Sequence, residues 1–315
     1  MLNDWIYLTD LFTSLSEYSR ASVREAVRQL KSHTLVVAEG TQDSVEDESI
    51  ERAWFNWLPD CSFHFLTKNV EFMSSAQTAE AMTRYLEESP QPAILKTYPN
   101  ATYVELQKEE TPQSEFAQVL MSRKTHRAFS ESAITAKTVS ELLYYTWGVH
   151  GYIDAPPFGK LFRKTSPSGG ARHPGEVYLL AIRVNGLRAG LYHYDGLNHR
   201  LEWLRSVSAK RKAVEYTADH EFLKDASALF IMTAVFSRVQ WKYRFARGYR
   251  VVLLDAGHLC QTFCLVATWL GLGSFCTAAL RDALIERDLG IDGINESVLY
   301  VAGVGGLPRK TSKRR

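Results

Sequence analysis

The stretch VVLLDAGHLCQTFCLVATWLGLGSFCTAAL, residues 251–280, decides how the rest of the chain is read. After Asp255 it contains no Asp, Glu, Lys or Arg. The charge-free run over 256–280 is long enough for a membrane-crossing helix. His258, Gln261 and several Ser, Thr and Gly residues break its apolar surface, which points instead to a core helix. The run then divides into a buried helix and a strand, GSFCTAAL, of a soluble cytoplasmic protein.

Around that pair the pattern from residue 114 onward is regular. EFAQVLMSRK and TVSELLYYTWGVHG predict amphipathic helices, the second closed by Gly151. EVYLLAIRV predicts a strand, and Asn185-Gly186 a hairpin turn. AGLYHYDGLNHRLEWL predicts a second hairpin. ALFIMTAVF does not alternate, so it predicts a central strand covered on both faces. RDALIERDLG adds a helix before the last strand, ESVLYVAGVG. The order implies an α+β fold, a mixed sheet flanked by helices.

Composition sets the outer limits. The 315 residues are 45% hydrophobic and 23% charged, an ordinary globular balance. A net charge of +2 carries no polyelectrolyte signature, so a nucleic-acid partner is not expected. The basic tail, Arg309, Lys310, Lys313, Arg314 and Arg315, reads as a solvated run. Cys61, Cys260, Cys264 and Cys276 form no Cys-x-x-Cys pair, and no metal site is expected. Cys260 and Cys264 are read as core residues of one helix. The N-terminus has neither a basic n-region nor a long apolar h-region, so no signal peptide is read there.

The N-terminal third divides at residues 45 and 113. SRASVREAVRQL (19–30) has a Ser cap and places Val23, Ala26, Val27 and Leu30 on one face. HTLVVAEG (33–40) then reads as a strand, giving a short winged-helix-like segment over 1–45. Its helix resembles the recognition helix of GntR-type DNA-binding regulators. The acidic DSVEDESIE (43–51) that follows argues against DNA and for packing or peptide docking. Residues 46–113 read as an extension and linker, with Pro90, Pro92, Pro99 and Pro112 marking an extended connection.

Within the third unit, residues 114–315, several clusters carry chemistry. MSRKTHRAF supplies Arg123, Lys124, Thr125 and Arg127 just past a helix end, able to hold a phosphate and a chain of hydroxyls. A basic last turn that compensates the helix carbonyls explains the same residues. TSPSGGARHPGEVY (165–178) puts Pro167, Ser168, Gly169 and Gly170 in a loop whose amides are open to close approach, beside Arg172 and His173. By itself it also reads as a turn into a strand. QWKYRFARGYR (240–250) sets Lys242 beside Tyr243 among arginines, a base and a proton partner or else a basic surface loop. GLGSFCTAAL offers small residues against which a flat ring could lie. No Gly-x-Gly-x-x-Gly follows a strand, and no Walker loop is present.

Taken together, SRKTHRAF, PSGGARHPGEVY with GLYHYDGLNHRLEWL, YRVVLLDAGHLCQTFCLVATWLGLG and ESVLYVAGVGG resemble the SagB-type dehydrogenases. These are a branch of the FMN-dependent nitroreductase superfamily, and the resemblance spans residues 54–306. It implies a homodimer with FMN at the interface. Arg123, Lys124, Thr125 and Arg127 would hold the phosphate, ribityl chain and pyrimidine edge, with Thr125 in place of the family's Ser. Pro167, Ser168, Gly169 and Gly170 would come from the other subunit to line the isoalloxazine. Ala278 and Ala279 would face flavin N5, and Arg309 and Lys310 would add a phosphate contact. Such enzymes oxidise azolines to azoles in modified precursor peptides alongside a cyclodehydratase, with O2 as the final acceptor. Lys242 would then remove the Cα proton, with Tyr243 as its partner, and the N-terminal segment would bind a leader peptide. An NAD(P)H-dependent nitro- or ene-reductase on the same fold is the competing reading, and a non-catalytic winged-helix protein binding peptide or DNA is another.

Overall fold

The computed structural model describes residues 5–33, 35–96, 98–107 and 113–308. The N-terminal part is helical: α1 (Leu8–Ser14), α2 (Arg20–Ser32), α3 (Gln42–Trp54), α4 (Leu58–Leu66) and α5 (Ser75–Glu88). Caps fix several starts. The Ser19 hydroxyl accepts from the Ser22 amide at α2, and Ser74 with Gln77 forms a capping box at α5. The strand expected over 33–40 does not form, and residues 35–40 are bends and turns. Leu35, Val36 and Val37 have strand-like side chains, but a short run needs a neighbouring ladder to satisfy its amides, and none lies beside it.

The larger part follows as α6 (Glu115–Ser122), β1 (Ile134–Thr135), α7 (Ala136–Trp147), β2 (Gly151–Asp154), β3 (Lys160–Arg163), β4 (Gly175–Ala181), β5 (Val184–Asn185), β6 (Gly190–Asp195) and β7 (Arg200–Arg205). It ends with α8 (Ala209–Tyr216), β8 (Ala228–Val235), α9 (Ser237–Gln240), α10 (Gly248–Trp269), β9 (Gly273–Thr277), α11 (Asp282–Leu289) and β10 (Glu296–Gly305). α7 stops earlier than expected, at Gly148 rather than Gly151. A Cβ on Gly148 would lie 2.5 Å from the Tyr144 carbonyl oxygen, so glycine is needed where the chain turns off the helix. Gly151 instead opens β2.

Six strands form one sheet in the order β7-β6-β4-β8-β10-β9. Every neighbouring pair in it is antiparallel. The parallel part of the expected mixed sheet is confined to β1 with β5 and to a bridge between Thr125 and Ser274. β8 lies inside the sheet, as its unalternating sequence predicts. Phe230 and Met232 face one core with Trp147 and Phe263, while Leu229 and Ile231 face the other with Tyr216 and Leu289. α7 and α10 cover the first face, α8 and α11 the second.

α10 is the one described helix long and apolar enough to cross a membrane. It packs on α7, β4, β9 and β10, burying Val252, Phe263 and Ala267. A third cluster joins the N-terminal part to the sheet end. Trp54 and Trp57, both fully buried, pack with Phe236, Val239, Tyr249 and Ile294. Trp54 Nε1 donates to the Ile294 carbonyl at 3.0 Å, so residues 50–65 are integral to this core. Burial of a tryptophan of this size stabilises by roughly 3–5 kcal/mol relative to alanine.

Candidate functional site

Two groups of residues stand along α10. The first begins where α6 ends. Arg123 leaves the helix in an extended conformation, and Thr125 bridges to Ser274 of β9. The His126 amide donates to the Ser274 carbonyl at 2.8 Å. This strap approaches closely because position 273 is glycine. A Cβ there would meet His126 Cγ at 3.1 Å. Arg127 lies over the Phe275 ring, 5.4 Å from its centroid. Arg200, Arg238 and Arg281 each pair with a carboxylate, whereas Arg123, Lys124 and Arg127 have no such partner among the described residues. A cavity of about 270 Å3 opens beside Arg123, walled also by Thr125, Gln261, Ser274, Cys276 and Tyr300. Ala278 and Ala279 follow directly on β9, with Ala278 exposed. The Ala279 amide is taken by Thr277 Oγ1 at 3.0 Å. Arg309 and Lys310 lie outside the described residues.

The second group is built on the first half of the same helix. Asp255, buried in α10, accepts from Ser168 Oγ at 2.5 Å and from the Gly169 amide at 3.3 Å. Burial pushes its carboxyl upward, and these two hydrogen bonds oppose that. Ser168 Oγ in turn accepts from the His173 amide at 2.8 Å, closing the loop on itself. The backbone inside is left-handed at Gly170, Ala171 and His173, with φ of 61°, 54° and 44°. Two of those residues carry a Cβ, so the loop holds strain that the Asp255 anchor must overcome. Pro167 is exposed on its rim.

Lys242 and Tyr243 close over this loop. A Cβ on Gly170 would lie 2.7 Å from Lys242 Nζ and 2.8 Å from Tyr243 Oη, so only glycine leaves them in place. The Tyr243 carbonyl accepts from Trp57 Nε1 at 2.9 Å, which ties the pair to the N-terminal helices. Arg172 hydrogen-bonds the Gly170 carbonyl and lies over Trp241, so it braces the loop. Burial holds the His173 imidazole down to about 4, with the Lys164 charge adding to the effect. It is therefore a neutral hydrogen-bonding group at neutral pH, not an anion binder. Phe158, Trp241 and Phe245, each about half exposed, stand around Lys242 and Tyr243.

The structure thus joins two of the sequence clusters, the glycine loop and the Lys-Tyr pair, into one unit. It joins Arg123–Arg127 to GSFCTAAL in another. Among the described residues no hydrogen bond or ion pair links the two units. Asp255 and Trp57 were not singled out from the sequence. Asp255 had a signal, as the lone charge in residues 251–280. Trp57 had none, because its partner is 186 positions away.

The sheet order and its covering helices define an α+β domain that other solved structures share. A chain of the Escherichia coli microcin synthetase McbBCD complex, solved with truncated pro-MccB17 bound, superposes with a TM-score of 0.55 at 22% identity, over 89% of this chain and 97% of that one. A model of the nitroreductase family matches residues 120–306, and the chain belongs to that family. The trifolitoxin-processing protein TfxB of Rhizobium leguminosarum bv. trifolii is 26% identical, over 93% of this chain and 82% of its own. The microcin B17-processing protein McbC of Escherichia coli is 28% identical, over 56% of this chain and 63% of its own. These relatives agree with the resemblance to SagB-type dehydrogenases.

Nitroreductase-family proteins typically bind FMN. The residues present suit it. Cations without a carboxylate partner among the described residues and the Thr125 hydroxyl match a phosphate and a polyol, and Arg123 and Thr125 border a cavity. Small residues after β9 leave room for a flat ring.

Proposed function

We propose that the protein is an FMN-dependent dehydrogenase that oxidises azoline rings to azoles in a modified precursor peptide. The observation that carries this reading is the seating of Lys242 Nζ and Tyr243 Oη over Gly170. A reductase that only passes hydride from a nicotinamide needs no such base. Azoline oxidation does need one, since a Cα proton must leave as hydride leaves the neighbouring carbon. FMN, when bound, supplies the two-electron acceptor.

The chain's own residues do the remainder. Arg123, Lys124, Thr125 and Arg127 hold the phosphate and polyol, and Ala278 and Ala279 leave the ring edge open. Lys242 would take the Cα proton, and the neighbouring Tyr243 hydroxyl would pass it outward. Asp255 positions both through the loop that it anchors. Phe158, Trp241 and Phe245 give a peptide an apolar surface beside the base.

The site is completed by a second copy. Leu253 and Leu254 are exposed on α10, and Gly257 follows on the same helix with no atom within 4 Å of the place a Cβ would occupy. A mid-helix glycine costs about 1 kcal/mol relative to alanine, and no side chain among the described residues requires it. Close approach of another α10 would. The loop at 167–170, with Lys242 and Tyr243, would then face a flavin that Arg123–Arg127 of the other subunit would hold. As the resemblance to SagB-type dehydrogenases implies, the dimer would work beside a cyclodehydratase, and the helices before residue 45 would meet the leader peptide.

The test is azoline oxidation of a thiazoline-bearing peptide, read as loss of two hydrogens by mass. Lys242→Ala and Tyr243→Phe should keep flavin and lose the reaction. Full turnover in both variants would overturn the assignment. NADPH consumption with nitroaromatics and none with the peptide would favour the reductase reading.

A further inference from the structure

Cys260 and Cys264 lie one turn apart on α10, and Cys276 faces them from β9. All three are free thiols whose sulfur atoms lie within 4.8 Å of one another, and Cys264 Sγ is 3.4 Å from Cys276 Sγ. The first two are buried and the third half-buried. All three line the cavity bounded by Arg123, Gln261 and Tyr300. Apolar packing alone would not require three sulfurs from two elements to converge on a polar cavity.

The spacing suits ligation. Zinc–sulfur bonds of about 2.3 Å in a tetrahedral site place sulfurs roughly 3.8 Å apart, which small side-chain rotations reach from here. A divalent ion bound there displaces the thiol protons. Three thiolates and a divalent ion leave a single negative charge, and Arg123 on the cavity wall offsets it.

We infer that Cys260, Cys264 and Cys276 form a three-thiolate site for zinc, with a fourth position open to the cavity. Sequence spacing concealed it because Cys276 arrives from a different element. The site adjoins the flavin contacts proposed for Arg123 and Thr125, which line the same cavity, but zinc is measured without turnover and apart from flavin absorbance.

The experiment uses the full chain, purified under reducing conditions, stripped of metal, loaded with zinc and desalted. Flavin absorbance is recorded on the same samples, so loss of flavin and loss of metal are separate results. The expected outcome is one zinc per chain, with three sulfur ligands at about 2.3 Å by X-ray absorption. Cys276→Ser should weaken zinc binding by more than roughly 100-fold, since loss of even an outer-shell partner costs about 10–100-fold. Cys264→Ser should do the same if Cys276→Ser fails to fold, and Cys61→Ser should bind as the parent does. Equal zinc content in the parent and the Cys276→Ser chain would overturn the inference. So would a Cys264–Cys276 disulfide in the reduced protein, found by counting reactive thiols.

Discussion

The two halves of α10 carry opposite kinds of surface. Around its second half, Arg123, Lys124 and Arg127 lie on a strap against β9 without a carboxylate partner among the described residues, and Arg123 borders open volume. Around its first half, Asp255, Ser168, Gly169, Gly170, Lys242 and Tyr243 are linked or packed together with little slack. The first half-site is prepared for a ligand that brings negative charge. The second would hold the proposed base, Lys242, still. The proposed flavoenzyme needs both, and among the described residues no hydrogen bond or ion pair joins them within one chain.

The largest expected effect falls on the second half-site alone. Lys242→Ala should lower azoline turnover by about 100-fold or more, in line with the worth of a positioned base, at unchanged flavin content. A parallel loss of flavin would merge the two half-sites and break the comparison. Arg123→Ala should do the reverse. Losing a charge-assisted contact costs about 1.5–3 kcal/mol, so flavin should wash out roughly 10- to 100-fold more easily, while turnover returns when FMN is added in excess.

Acid should loosen the second half-site through its histidine. His173 and His64 are held down to about 4 from 6.5, each chiefly by burial. A depressed histidine favours the folded chain above its unfolded value, because the unfolded state then binds the extra proton only as pH falls. Stability should therefore drop from about pH 6.5 toward pH 4, by order 1–3 kcal/mol per histidine. Thermal melts across that range should show a shallower fall for His173→Gln than for the parent.

Gly170→Ala is a finer probe. Its φ of 61° costs a Cβ-bearing residue about 1 kcal/mol, and the new methyl must displace Lys242 and Tyr243. Turnover should fall with flavin still bound. Trp57→Phe should be milder still. It removes the bond to the Tyr243 carbonyl, worth about 1 kcal/mol, and should lower the melting temperature slightly with a small loss in turnover.

Local pattern made much of this legible. The unalternating β8 and the divided run at 251–280 are visible as periodicity, and they establish the sheet and its central helix. The clusters at 123–127, 165–178 and 240–250 were visible as composition. Their partnerships were not. Asp255 reaches Ser168 across 87 positions, and Trp54 reaches Ile294 across 240, so neither contact leaves a trace in local spacing. The misread strand at 33–40 shows the converse. Leu35, Val36 and Val37 supply strand propensity, but a strand also needs a neighbour, which propensity does not provide.

The central claim is that a working site takes Arg123 from one subunit and Lys242 from the other. Mixed dimers test it most directly. An Arg123→Glu chain and a Lys242→Ala chain are each inactive alone, and differently tagged copies are co-expressed and purified as the heterodimer. Composite sites predict that one of the two is rebuilt intact, restoring about half of the parent's azoline oxidation. A heterodimer as inactive as either parent variant would place both residues in the same subunit's site and contradict the account.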